Sequence, residues 1–174
     1  MPPDRTTPLV RRCYADDTER IWEIINRAAI AYRGVIPADR WHEPYMTRAM
    51  LQHEIHDGVE FWGIDRLDEL AGIMGTQDKS DVALIRHAYV HPKSQHRGIG
   101  TILLQYIATV TANPILVGTW AAATWAISFY ERNGYRRVPI SQQTSLLTRY
   151  WSIPRRQVET SVVLANQRWF DRCE

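Results

Sequence analysis

Apolar residues recur along this chain at two spacings, one helical and one extended. Ile21, Ile24, Ile25, Ala28 and Ala29 return every three or four positions, as on a helix buried along one side. Asp16 or Asp17 is placed to cap that helix, and Glu19 would complete a capping-box-like start. A short strand over Leu9–Tyr14 precedes it, and Arg33-Gly34-Val35-Ile36-Pro37 loosens its far end. A second helical region is expected from Asp39 to His56, before Gly58, although its apolar stripe is poor. Val59–Asp65, Leu70–Gln77 and Val82–Val90 carry the strand pattern, joined by the polar turns Arg66–Glu69 and Asp78–Asp81. Ile102, Leu103, Tyr106, Ile107 and Val110 then mark the buried side of a helix over about Gly100–Thr111. Ile115–Trp120 reads as a strand, and Ala122–Asn133 as a helix stopped by Gly134 in a left-handed cap. Tyr135–Ile140 and Thr160–Leu164 are the last strands. Ser141–Glu159 is long enough to need structure of its own, with a helical turn expected at Leu146–Tyr150.

This order predicts an α/β fold of the α+β kind: a mixed sheet of about seven strands with helices on both faces. A chain of 174 residues suits one domain over 1–174. Hydrophobic and charged contents of 45% and 23% are those of a soluble globular protein. A net charge of +2 is too small to argue for nucleic acid. No apolar run reaches the length of a membrane span, and Met1–Arg5 lacks the apolar core of a signal peptide, so a cytoplasmic location is expected. Cys13 and Cys173 read as free thiols. Seven Trp and eight Tyr exceed what a core of this size needs and point to an aromatic-walled pocket. With the long Ser141–Glu159 excursion they leave a homodimer open.

The chemistry concentrates at Gln95-His96-Arg97-Gly98-Ile99-Gly100-Thr101, between a strand and a helix. Glycines let several N–H groups converge, and a helix start adds unpaired N–H groups and a positive dipole end. His91, Lys93, His96 and Arg97 bring further donors nearby. The loop is thus suited to phosphate. It is no P-loop, because no Lys-Ser or Lys-Thr follows its second glycine. It is no dinucleotide fingerprint either, because position 103 is Leu103 and the gap from Val90 to Gly98 is too long.

Strand, Pro92, short loop, Gln-x-x-Gly-x-Gly and helix together resemble the acetyl-CoA-binding signature of the GNAT (general N-acetyltransferase) superfamily. The stretch Ser128-Phe129-Tyr130-Glu131-Arg132-Asn133-Gly134-Tyr135 is similar to that family's aromatic-Tyr-Glu-x-x-Gly-aromatic pattern. The resemblance lies mostly within Val82–Val138; the N-terminal part matches in element order alone.

The resemblance implies the GNAT fold and residue roles. Gln95 through Thr101 would bind the pyrophosphate, while the pantetheine arm pairs with the strand end at Ala88–Val90. A backbone N–H near Tyr89 or Val90 would polarise the thioester carbonyl. Tyr130 would protonate the departing thiolate. Many GNAT proteins carry an Asn two turns before this tyrosine; here the stretch is Ala121-Ala122-Ala123-Thr124-Trp125, and Thr124 is the side chain able to replace it. No metal is needed.

For the proton on the acceptor, Arg86-His87-Ala88-Tyr89 offers two sets of candidates. Strand alternation puts His87 and Tyr89 on one face and Arg86 on the other, so either His87 serves as base or Arg86 holds an anionic acceptor. Glu159 is a weaker base. Tyr32, Arg33, His42, Glu43, Tyr45 and Trp120 are the expected acceptor pocket. His53 and His56 have metal-compatible spacing, but a solvated helix face accounts for both. The expected activity is N-acetyl transfer from acetyl-CoA to a small-molecule or peptide amine. A non-catalytic acyl-CoA sensor and transfer of a different acyl group are the alternatives.

Overall fold

The computed structural model describes residues 9–172; Cys173 lies outside them. Seven strands form one sheet: β1 (Val10–Arg12), β2 (Val59–Arg66), β3 (Glu69–Asp78), β4 (Ala83–Val90), β5 (Ile115–Trp120), β6 (Arg136–Arg137) and β7 (Ser161–Ala165), in the order β1-β2-β3-β4-β5-β7-β6. The sheet is mixed. β1 runs antiparallel to β2, β4 runs parallel to β5 over Ala83–Ile85, and β7 is antiparallel to both β5 and β6. Among the described residues seven α-helices accompany it: α1 (Thr18–Ala29), α2 (Arg48–His56), α3 (Ile99–Val110), α4 (Thr124–Arg132), α5 (Ile140–Tyr150), α6 (Arg155–Glu159) and α7 (Gln167–Asp171).

The chain divides into two compact units. One holds the residues up to Ile30, Glu43–Thr76 and Arg86–Val110; the other holds Ala31–His42, Gln77–Ile85 and the residues from Thr111 on. In the first unit, Ile21, Ile24 and Ile25 of α1 and Leu51 of α2 pack with Val59, Phe61 and Ile73. Trp62 instead meets Tyr106 of α3, with ring centroids 5.2 Å apart. Phe61 and Trp62 are neighbours on a strand and so point to opposite faces. Hence α1 and α2 cover one face of this unit's strands and α3 the other. Gly72 belongs to the α3 face, where a Cβ would come 2.5 Å from Cγ2 of Ile99. The β2–β3 connection is a two-residue turn with Leu67 and Asp68 both at positive φ, the handedness that tight hairpins require.

In the second unit the core joins Leu116, Val163 and Ala165 to Leu146, Leu147, Tyr150 and Trp151. The excursion after β6 is thus two helices rather than a single turn. Gly118 gives α5 its seat: a Cβ there would stand 3.3 Å from the Trp151 ring.

Four expectations are corrected. The helix expected from Asp39 is confined to Arg48–His56, because Pro44 lacks the N–H a helix interior needs. Thr47 caps α2, its side chain accepting from Met50 N at 3.1 Å. The preceding segment is instead tied to α1 by Asn26, which accepts from Met46 N (2.9 Å) and donates to Met46 O (3.0 Å). Glu19 makes no capping box; it pairs with Arg48, while Asp17 accepts from Tyr14 N ahead of α1. β6 is only two residues long because Pro139 leads directly into α5. A last helix, α7, stands where none was expected.

Candidate active site

In the first unit, Pro92 opens a 3-10 turn after β4, and the chain then alternates in handedness: His96 has φ +60° and Gly98 φ +76°. Such alternation turns successive amides toward one side. A Cβ on Gly98 would meet nothing within 4 Å, so glycine serves the backbone angle there and not a tight contact. Gln95 braces the loop by donating from Nε2 to Val90 O at 3.1 Å. Ile99 is buried and seats the start of α3 in the space left by Gly72. The first helical bond runs from Ile102 N to Gly98 O, so the amides of Ile99, Gly100 and Thr101 precede the ladder and have no intrahelical acceptor. Exposed His96 and Arg97 flank them. This donor set suits a diphosphate.

Lower on β4 the strand breaks its alternation. His87 has φ +53°, a left-handed conformation uncommon for a residue other than glycine. Regular alternation would send Arg86 and His87 to opposite faces. Instead both reach one carboxylate on α2: Arg86 Nη2 donates to Glu54 Oε2 at 2.6 Å, and His87 Nε2 stands 3.1 Å from the same oxygen. The either-or choice between His87 and Arg86 therefore falls away. All three side chains are largely buried, and the His87 ring stacks on Phe61. Burial pushes the Glu54 carboxyl up, but the His87 hydrogen bond and the charges of Arg86, His87 and His53 outweigh it and hold the group below the usual carboxylate range. An ionised Glu54 only accepts, so His87 Nε2 donates to it. Glu54 escaped the sequence reading. Its signal was its place three residues after buried Leu51, at the edge of the inward face of α2.

In the second unit, Tyr130 on α4 is 5% exposed, within a group of aromatic rings. It lies 5.0 Å from Phe129 and 5.8 Å from Tyr135, centroid to centroid. Burial, with smaller contributions from Tyr32 and Tyr135, raises the Tyr130 phenol well above its ordinary value. It stays protonated at neutral pH. Tyr32 packs on Trp125 at 5.6 Å, and Arg33 lies over the Trp41 ring at 5.6 Å. Trp120 is buried at the end of β5, and Thr124 is exposed on the first turn of α4. Glu159 is tied to Arg155 at 2.7 Å on the surface of α6. In the first unit again, exposed His53 faces Asp57 at 3.4 Å, and Tyr45 packs against the core under α1 and α2.

A sequence model described as an acetyltransferase (GNAT) domain matches residues 26–146. The chain belongs to this family. GNAT structures share its fold. The PaiA N-acetyltransferase from Thermoplasma acidophilum, solved in complex with coenzyme A, superposes with a TM-score of 0.69 at 16% identity, over 92% of this chain and 99% of that one. The ribosomal-protein-S18-alanine N-acetyltransferase from Escherichia coli gives 0.65 at 16% identity, over 92% and 93%. Among curated proteins, UPF0157 protein YqkA from Bacillus subtilis is 29% identical over 113 residues, or 63% of this chain. The chain spans about a third of the length of that relative. The Gln95–Thr101 loop lies at the start of α3 and within the matched residues.

Proposed function

We propose that this GNAT protein transfers an acetyl group from acetyl-CoA to a primary amine, carried by a small molecule or a peptide, by direct attack in a ternary complex. The observation that carries the reading is the seat of the glycine loop. Gly72 admits Ile99, and the amides of Ile99, Gly100 and Thr101 are left without helical acceptors. Those amides would hold the pyrophosphate, with the Arg97 charge beside them. A backbone N–H near Tyr89 or Val90 would meet the developing oxyanion.

His87 is the proposed base. Its Nδ1 takes the proton of the attacking amine while Glu54 fixes the opposite nitrogen and stabilises the imidazolium that forms. Tyr130 is the proposed acid. A phenol kept protonated by burial acts chiefly by donating a hydrogen bond that stabilises the departing thiolate. Tyr32, Arg33, Arg86 and Trp120 would shape the acceptor side. Relatives of this fold supply the precedent: one is solved with coenzyme A, and another is named for acetylating an alanine of ribosomal protein S18.

The test pairs calorimetry with turnover. Coenzyme A should bind, and acetyl-, propionyl- and succinyl-CoA should be compared across a panel of amines and peptides. Acetyl transfer to a primary amine upholds the reading. Tight coenzyme A binding without transfer to any amine would make the chain a sensor, and failure to bind coenzyme A would overturn both.

A further inference from the structure

On the α1 face of the first unit lies a groove of about 520 Å³, a size typical of small-molecule sites. Three elements line it: Arg20, Glu23 and Arg27 from α1; Arg66 and Glu69 beside the β2–β3 turn; and His91, Lys93, Ser94 and Arg97 from the loop after β4. Five cations face two carboxylates. Glu23 binds both Arg20 (2.7 Å) and Arg27 (2.9 Å), and Glu69 reaches Arg20 at 3.2 Å. Both carboxylates are thus engaged by α1 arginines. Arg66, Lys93 and Arg97 have no side-chain partner among the described residues. His91 is 7% exposed in the same wall. Burial and the charges of Arg20, Arg27 and Lys93 hold it below its ordinary range, against the opposing pull of Glu23.

The helix-start amides belong to α3, and α3 covers the opposite face of these strands. The groove lies on the α1 face instead, although Lys93, Ser94 and Arg97 come from the loop that leads into α3. We propose that the groove is a second anion site, taking a small molecule with two or more phosphate-type charges, which binds beside the acyl donor rather than as part of it. Arg66 beside the β2–β3 turn and Lys93 of the loop after β4 come from separate elements and line one groove where both carboxylates are already engaged by α1 arginines. A multiply charged oxyanion answers them, and its binding weakens as salt screens the charges. Occupancy would brace the loop against α1 through Lys93 and Arg97.

The proposal rests on the acetyl-CoA reading for its meaning, but its test does not. Inorganic pyrophosphate is titrated calorimetrically at low salt into the protein alone and into the protein saturated with coenzyme A. Arg66→Ser and Arg66→Glu serve as variants, since Arg66 is exposed and has no side-chain partner among the described residues, so the fold should tolerate its loss. The expected result is pyrophosphate binding that persists in the coenzyme A-saturated protein, where the amide cradle is already filled, and that is weakened at least tenfold in each variant, with coenzyme A affinity changed less than twofold. The titration midpoint of His91, followed by NMR, should rise when pyrophosphate is added. Mole-for-mole displacement of pyrophosphate by coenzyme A would overturn the proposal. So would variants that lose coenzyme A affinity instead, or wild-type protein that binds no pyrophosphate. If coenzyme A itself fails to bind, the acetyltransfer reading falls, while the titration of the protein alone and of the Arg66→Ser variant still decides the groove.

Discussion

The two units solve the burial of polar chemistry in opposite ways. The first buries charge: Glu54, Arg86 and His87 share one carboxylate oxygen at 2.6 and 3.1 Å, and the backbone of His87 is bent out of the strand to allow it. The second buries neutral phenols: Tyr130 and Tyr135 sit among rings, both held protonated by desolvation. Buried charge is tolerable only when paired, and buried hydroxyls are tolerable without ionising. The contrast suits the roles proposed above: a paired imidazole with one nitrogen fixed as proton acceptor, and a desolvated phenol as a neutral hydrogen-bond donor.

Removing His87, the proposed base, should have the largest effect. His87→Ala is expected to lower kcat/KM by about 10² to 10⁴-fold, the range for a positioned general base, without weakening coenzyme A binding. A variant with wild-type turnover and an unaltered pH profile would reduce the charged cluster to a packing device. Tyr130→Phe tests the other region. Turnover should fall about tenfold, equivalent to roughly 1.4 kcal/mol, because a phenol raised by burial acts more through its hydrogen bond than as a strong acid. Coenzyme A affinity should hold.

Glu54→Gln sharpens the comparison through pH. The folded Glu54 carboxyl lies below its unfolded value of about 4.3, so its contribution to stability is present above that pH and lost as pH falls through the folded value. Denaturant unfolding of the Gln variant should show a shallower loss of stability on acidification. The acidic limb of its kcat/KM profile should also move, which a purely structural role would not cause. The smallest effect is expected at Tyr135, whose hydroxyl is buried with no hydrogen-bond partner among the described residues. Tyr135→Phe removes that cost, and thermal unfolding should show a gain of about 1 kcal/mol with activity unchanged.

Much of this was legible along the chain. The order of strands and helices emerged from apolar spacing, and the glycine loop and the Tyr130 helix were recognisable because local backbone demands leave local residue signatures. Gly98 and Gly134 do stand at positive φ. What escaped depends on contacts far apart in sequence. Pro44 broke a helix whose weak stripe had concealed the break, and Asn26 took over the backbone of Met46 across 20 positions. The pairing of Glu54 with His87 spans 33 positions and needs a φ of +53° that no strand pattern announces.

The amino-acid order alone determined the family, the succession of elements and the amides at the start of α3, since each follows from periodicity and short-range turn chemistry. The tertiary structure alone decided which ionisable groups meet. It bent β4 so that Arg86 and His87 converge on Glu54, and it brought Arg66 and Lys93 to one groove. Those outcomes are set by packing between distant segments, where the strength of a charge depends on its neighbours and on how much water is excluded.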